Sequence, residues 1–145
     1  MLQDKSILLV EDDPAQADLM LEVFSEHHFN ASNSSLAQDG EQAMDMLYQR
    51  NGFEDLPLPS LVLLDLNIPK KNGKQVLEEI KSSEKLKHIP VLVLTSSRLK
   101  DDVTQCYQLH ANAYMVKPND LDDLIVMIEK MDDFWFSQVC LPSEQ

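Results

Sequence analysis

This sequence predicts a doubly wound α/β domain, one five-stranded parallel sheet with helices on both faces. Three observations carry that prediction. Residues 7–10 (Ile-Leu-Leu-Val), 61–64 (Leu-Val-Leu-Leu), 91–94 (Val-Leu-Val-Leu) and 113–116 (Ala-Tyr-Met-Val) are short, continuous apolar runs. Runs of that length, apolar on both faces, fit strands of a parallel sheet covered on both sides. Strand-like and helix-like stretches alternate five times, which implies right-handed helical crossovers between parallel strands. Finally, the runs stop at polar residues of chemical interest: Glu11-Asp12-Asp13, Asp65, Thr95-Ser96-Ser97 and Lys117-Pro118.

Taken in order, the first strand is followed by Asp13-Pro14, an N-cap and a proline suited to the first helical position, with Gln16 three residues past the cap. Ala17, Met20, Leu21 and Phe24 recur at helical spacing and give that helix an apolar face. Residues 30–37 are polar and weakly patterned and predict a short edge strand. Asp39-Gly40 is a turn, and Ala43, Met44, Leu47 and Tyr48 face inward from the next helix. Asn51-Gly52, Pro57 and Pro59 mark residues 50–59 as a loop, and Pro69 and Gly73 break the chain again after the third strand. The third helix buries Val76, Leu77 and Ile80. Val103, Cys106 and Tyr107 do so in the fourth, and Leu121, Leu124, Ile125 and Ile128 in the fifth. Asp122 and Asp123 occupy the first turn of that last helix, where its dipole favours them.

A chain of 145 residues suits one domain with a proper core. Hydrophobic residues at 43% and charged residues at 26% are ordinary for a globular protein. Twelve basic against 25 acidic residues give a formal charge of −13, which argues against nucleic acid and anionic membrane surfaces as partners. With no membrane-length apolar run and a polar start, the expected location is cytoplasmic. Cys106 and Cys140 form no metal-binding pair and are expected to be reduced thiols.

Four strand ends thus deliver Glu11 and Asp12, Asp65, Thr95 and Lys117 to one edge of one sheet, where open α/β folds build their sites. Three carboxylates gathered there would repel one another without a counter-charge and raise each other's pKa. They suit a hard divalent cation, and Mg²⁺ takes a few carboxylates plus waters. A lysine opposite and a hydroxyl beside them complete a set able to stabilise a transferring phosphoryl group in line with a carboxylate nucleophile.

The stretches Leu-Val-Glu-Asp-Asp-Pro (9–14), Leu-Leu-Asp-Leu-Asn-Ile-Pro (63–69), Leu-Thr-Ser (94–96) and Tyr-Met-Val-Lys-Pro (114–118) resemble the receiver domain of two-component response regulators. The similarity spans about residues 5–130 with every signature position filled. It implies a flavodoxin-like (βα)5 fold with sheet order 2-1-3-4-5, and a phosphoryl group accepted on Asp65 from a histidine kinase. It also implies Mg²⁺ held by Asp12, by Glu11 through a water, by Asp65 and by the Asn67 backbone carbonyl. Lys117 would pair with the phosphoryl oxygens, across a cis bond to Pro118, while Thr95 and Tyr114 would form the switch pair. Asn67 and Ser97 fall where receivers tune the lifetime of the phosphate. More specifically, residues 68–73, 109–114, the loop at 50–59 and the ending Asp133-Phe134-Trp135-Phe136 are similar to cyanobacterial phytochrome-associated response regulators.

With no DNA-binding or catalytic module expected after residue 130, the expectation is a single-domain regulator: a receiver over residues 1–131 and a C-terminal extension over 132–145, packed on the domain or at a dimer interface. Three consecutive aromatics cannot all face inward on one helix. The favoured expectation is therefore an exposed patch and a homodimer through the fourth helix, fifth strand and fifth helix. Plainer readings compete at single positions: Tyr114 as ordinary packing, His27, His28, His88 and His110 as solvated or helix-terminal residues, and the methionines as core filler. Two rival functions remain. An aspartyl-phosphate phosphatase of the haloacid dehalogenase type needs a second Asp two residues after the first, where this chain has Asn67 and no cap domain. A non-phosphorylated receiver-like adaptor would not need the complete acid, Thr and Lys set.

Overall fold

The computed structural model describes residues 5–26 and 34–142. One parallel sheet contains β1 (Ile7–Val10), β2 (Ser34–Ala37), β3 (Leu61–Leu64), β4 (Val91–Thr95) and β5 (Ala113–Val116), in the order β2-β1-β3-β4-β5. Helices α1 (Pro14–Glu26), α2 (Gly40–Leu47), α3 (Gly73–Ser82), α4 (Lys100–Gln108) and α5 (Leu121–Asp133) follow the strands in turn. The second strand was expected across residues 30–37; its first half, with His27 and His28, lies outside the described residues.

Alternate residues of the same strands feed two separate cores, because successive side chains of a strand point to opposite faces. Leu8, Val10, Val62, Leu64, Val91 and Val93 meet Ala43, Met44, Leu47, Val76, Leu77, Ile80 and Cys106 from α2, α3 and α4. Ile7, Leu9, Leu61, Leu63, Leu92 and Leu94 meet Ala17, Met20, Phe24, Leu124 and Ile128 from α1 and α5. A run apolar on both faces is thus fully used in β1, β3 and β4, which are buried throughout.

Several helix-face expectations fail where the sheet runs out. β5, expected to be buried like the others, is the edge strand and is half-exposed along its length. Its neighbours have correspondingly little core to cover. Tyr107 and Leu121, expected inward, are 49% and 59% exposed, while Val103, Leu21 and Ile125 are only half-buried. The Lys117–Pro118 bond, expected cis, is trans. Trans is the isomer that an X–Pro bond intrinsically favours, by about 0.5–1 kcal/mol. Both cysteines are free thiols as expected, Cys106 buried and Cys140 exposed.

Two close approaches shape the loop after β3. A Cβ on Gly73 would lie 2.5 Å from the Asp65 carbonyl oxygen, and one on Gly40 would lie 1.8 Å from that of Lys71. The backbone of 65–73 is therefore folded against α2 and the start of α3 at positions that only glycine can occupy. At the other end of the chain, α5 continues into a π-helical turn, Phe134–Gln138, closed by a 3.0 Å bond from Val139 N–H to the Phe134 carbonyl. The three aromatics separate there. Phe136 is 1% exposed within the α1–α5 core, Trp135 is half-buried against it, and Phe134 is 54% exposed.

Candidate functional site

The parallel ladder runs one residue past the strands and so fixes where the polar side chains start. Glu11 N–H donates to the Ala37 carbonyl at 3.0 Å, Asp65 N–H to Val10 at 3.1 Å, and Lys117 N–H to Thr95 at 2.8 Å. Glu11, Asp65, Thr95 and Lys117 consequently converge at one sheet edge, all buried. A buried ion is tolerated only when it is paired and hydrogen-bonded. The Lys117 ammonium meets that condition with three acceptors: Glu11 Oε1 at 2.7 Å, Gln16 Oε1 at 2.7 Å and Asp65 Oδ2 at 2.9 Å. The remaining oxygens are also held. Glu11 Oε2 accepts from Asp13 N–H at 3.1 Å, and Asp65 Oδ1 from Asn67 N–H at 3.2 Å.

Charge at this edge is unbalanced. Carboxylate oxygens of Glu11, Asp12 and Asp65 lie within 4.8 Å of one another, with Asp12 exposed at the mouth. Three carboxylates face one ammonium, leaving two negative charges in a largely buried pocket. Burial accordingly pushes the Glu11 carboxyl up, and the Asp65 charge adds to it against the pull of Lys117. Burial works to lower the Lys117 ammonium too, but its bonds to Glu11 and Asp65 outweigh that and hold it above the ordinary lysine value. An all-oxygen donor set two charges short of neutrality fits a hard divalent cation.

Thr95 is fully buried at the end of β4, and its hydroxyl oxygen sits 3.5 Å from Ser97 N–H. Tyr114 lies half-buried against the α2–α4 core, its hydroxyl donating to the Ser97 carbonyl at 3.0 Å. Tyr107, though exposed, is not idle: its hydroxyl accepts from Tyr114 N–H at 3.1 Å. Thr95 and Tyr114 are thus linked through Ser97. That residue is pinned from the other side by a side-chain bond to Asp102, which also takes the Lys74 ammonium at 2.5 Å, while Lys74 bonds Gln105 Oε1 at 2.7 Å. Sequence patterns did not flag this relay, and they placed Gln16 in a capping box with Asp13 where the structure turns its side chain to Lys117; both arrangements depend on which elements lie side by side.

A profile described as the response regulator receiver domain matches residues 7–129. The chain belongs to that family. The receiver is 45% identical over 139 residues to the response regulator Rcp1 of Synechocystis sp., an alignment covering 96% of this chain and 94% of Rcp1. It is 42% identical over 129 residues to a probable methanogenesis regulatory protein, FilR2, of Methanothrix harundinacea, covering 89% and 82%. Among solved structures it resembles the phosphorylated cyanobacterial phytochrome response regulator RcpA, with a TM-score of 0.93 and 40% identity over 97% of this chain and 100% of that one. It also resembles the Mn²⁺-bound form of Rcp1, at 0.88 and 45% identity over 96% and 99%.

Membership in this family makes the protein a signalling phosphoacceptor with the flavodoxin-like fold, order 2-1-3-4-5, that the motifs implied. The more specific likeness to phytochrome-associated regulators holds as well. The phosphatase rival falls with it, Asn67 standing where that chemistry needs an acid. No helix among the described residues is long and apolar enough to cross a membrane.

The Asp102 relay in this receiver carries its own pH dependence. Hydrogen bonds from Lys74, then from Ser97, hold the Asp102 carboxyl below the usual aspartate range. A depressed pKa stabilises the fold above the unfolded value and loses that contribution as pH falls through the folded one. Asp102→Asn is expected to lower stability by under about 1 kcal/mol at pH 7, since the Asp102 and Lys74 side chains are 20% and 31% exposed. The deficit should begin to shrink as pH falls below about 4, the ordinary aspartate value, and vanish only below the depressed folded one, where wild-type Asp102 protonates as well. Urea unfolding of both proteins from pH 3 to 8 tests this, and a pH-independent difference rules the linkage out.

Proposed function

We propose that Asp65 accepts a phosphoryl group from a histidine kinase, specifically one of phytochrome type, in a Mg²⁺-dependent reaction that resets a protein-interaction face. The observation that carries the reading is the Lys117 ammonium, held between Glu11 and Asp65 in a buried pocket two positive charges short of neutrality. The kinase assignment rests on the Rcp1 and RcpA likeness, and the proposed setting is the cytoplasm. In transfer, a carboxylate oxygen of Asp65 attacks phosphorus, the phosphorus–nitrogen bond to the kinase histidine breaks, and the imidazole leaves with the electron pair. Burial concentrates the field of Lys117 on the charge that spreads over the phosphoryl oxygens. Asp12, Asp65, the Asn67 carbonyl and, through water, Glu11 would hold Mg²⁺, which would supply positive charge against the negative charge that attacking and transferred oxygens share. Slow autodephosphorylation by water reverses the modification.

The switch follows from existing bonds. A Thr95 hydroxyl drawn toward a phosphorylated Asp65 moves the 95–97 segment, and Tyr114, anchored on the Ser97 carbonyl, moves with it. Tyr114 stands on β5, between α4 and α5. Among the described residues, the exposed large apolar side chains Leu99, Tyr107, Leu121, Val126 and Phe134 all belong to α4, α5 and their immediate flanks. This supports a homodimer across the α4–β5–α5 face, with the receiver proper over residues 1–131 and the extension over 132–145 adding Phe134 to the interface. Sedimentation at several concentrations is expected to show a dimer that Phe134→Ala alone weakens. A monomer at every concentration, phosphorylated or not, defeats this part of the reading.

Lys117→Ala is expected to keep the fold, lose the response to beryllofluoride and lose stability when metal is absent. Removing the ammonium leaves Glu11 and Asp65 facing each other in a buried site. The full cost of breaking such a pair runs to about 3–5 kcal/mol, and proton uptake by Glu11 reduces it to about 1–3 kcal/mol. Mg²⁺ restores the missing positive charge, so the variant should recover stability on titration. Unfolding in EDTA and in excess Mg²⁺ tests the first claim, and Trp135 or Tyr114 fluorescence with beryllofluoride tests the second. A normal beryllofluoride response removes Lys117 from the mechanism.

A further inference from the structure

Three helices of this protein open with the same local arrangement, an Asp or Asn N-cap followed three residues later by glutamine, and only one of those glutamines leaves its own turn. In α3, Asn72 accepts from Gln75 N–H while Gln75 Oε1 returns to Asn72 N–H at 2.9 Å, closing a capping box. In α2, Asp39 accepts from Gln42 N–H and Gln42 Oε1 turns back onto Gln38 N–H at 2.8 Å. In α1, Asp13 accepts from Ala15 and Gln16 N–H groups at 3.0 and 3.3 Å, as a cap should. The bond that would complete the box is already taken, because Asp13 N–H donates to Glu11 Oε2. Gln16 is released from capping, and its Oε1 lies 2.7 Å from Lys117 Nζ, 101 residues away in the chain.

We propose that Gln16 is a positioning residue for phosphoryl transfer, the neutral acceptor that aims the Lys117 ammonium at Asp65. This rests on the reading of Asp65 and Lys117 given above. An ammonium has three donors, and here Glu11, Gln16 and Asp65 take one each. Two of those acceptors belong to the acidic set suited to a divalent ion, and Asp65 is also the nucleophile. Gln16 is the partner outside that set. When the carboxylates turn to other work, the amide oxygen keeps a flexible four-carbon side chain from swinging away. Its neutrality matters equally. A carboxylate at this position would tie the ammonium down more tightly and add a further negative charge facing the incoming phosphoryl group.

Gln16→Met, which keeps the length and helix propensity but not the acceptor, is expected to weaken beryllofluoride binding and slow labelling by acetyl phosphate about tenfold, the size of one hydrogen bond to a charged group. Gln16→Ala should match it and secures the result if the methionine packs badly. Mg²⁺ affinity should stay close to wild type in both, and the melting temperature should fall by only a few degrees, the contribution of one hydrogen bond to the ammonium. In the metal-free protein, the Lys117 ammonium should give a slowly exchanging ¹⁵N signal that either variant loses. Beryllofluoride affinity within twofold of wild type overturns the proposal, as does an equal loss of Mg²⁺ affinity, which marks a general collapse of the site. Asp65→Asn is run in parallel. Label persisting there condemns the phosphoacceptor reading itself, whereas a silent Asp65→Asn beside normal Gln16 variants condemns only the role of Gln16.

Discussion

Replacing Asp65 with asparagine is expected to abolish phosphorylation, not merely to slow it. Asp65 sits at the end of the central strand, its carboxylate held by the Lys117 ammonium at 2.9 Å and by Asn67 N–H at 3.2 Å. An amide there keeps the shape of the side chain and most of its hydrogen bonds, so the fold survives. What it lacks is a carboxylate oxygen at the end of the central strand to attack phosphorus. Wild-type protein incubated with acetyl phosphate and Mg²⁺ should take up one acid-labile phosphate per chain, with EDTA reducing it to background. The Asn variant should show background under both conditions. Undiminished labelling of the variant sinks the assignment and revives the reading of this chain as a non-phosphorylated adaptor.

Phe136→Ala is expected to destabilise the protein by about 3–5 kcal/mol, a large part of the stability of a domain this size. The ring is 1% exposed and lies in the core that Phe24, Met20, Leu124 and Ile128 build between α1, α5 and the sheet. Truncation forfeits the burial of an aromatic side chain and leaves a cavity that helices pinned on both flanks cannot close. The segment is also tied down by its backbone, since Lys5 Nζ donates to the Phe136 carbonyl. Two residues earlier, Phe134 is 54% exposed, and its loss should change monomer stability by less than about 0.5 kcal/mol. Denaturant unfolding of the two variants at low concentration separates these cases. Equal effects at the two positions would falsify the division of the aromatic ending into an inward and an outward residue.

That division alters how the proposed dimer is probed. Substituting Phe134 and Phe136 together, the natural experiment from sequence alone, would confound core damage with interface loss. With Phe136 inside the domain, a single change at Phe134 reports on association while leaving the core intact.

Much of this protein is legible in its sequence because the decisive signals are local. A four-residue run such as Leu61-Val62-Leu63-Leu64 states both its length and its burial on two faces, and the residue after it must then emerge at the strand end. Repeated along the chain, that logic places Glu11, Asp65, Thr95 and Lys117 at one edge, since parallel strands all end on the same side. The cap at Asp13 is equally local. Tertiary packing decided what depends on neighbours far away in the chain. Sheet order put β5 at the edge and so exposed Tyr107 and Leu121, which a helical wheel turns inward. Lys74 reached Asp102 across 28 residues, and Lys117 reached Gln16 across 101, because α3 meets α4 and the first turn of α1 borders the site into which the Lys117 side chain extends. The one glutamine that left its own helix turn did so because Glu11, two residues before the cap, had already filled its place. Local patterns assign a side chain to a face of an element, whereas the packed fold determines which partner that face meets.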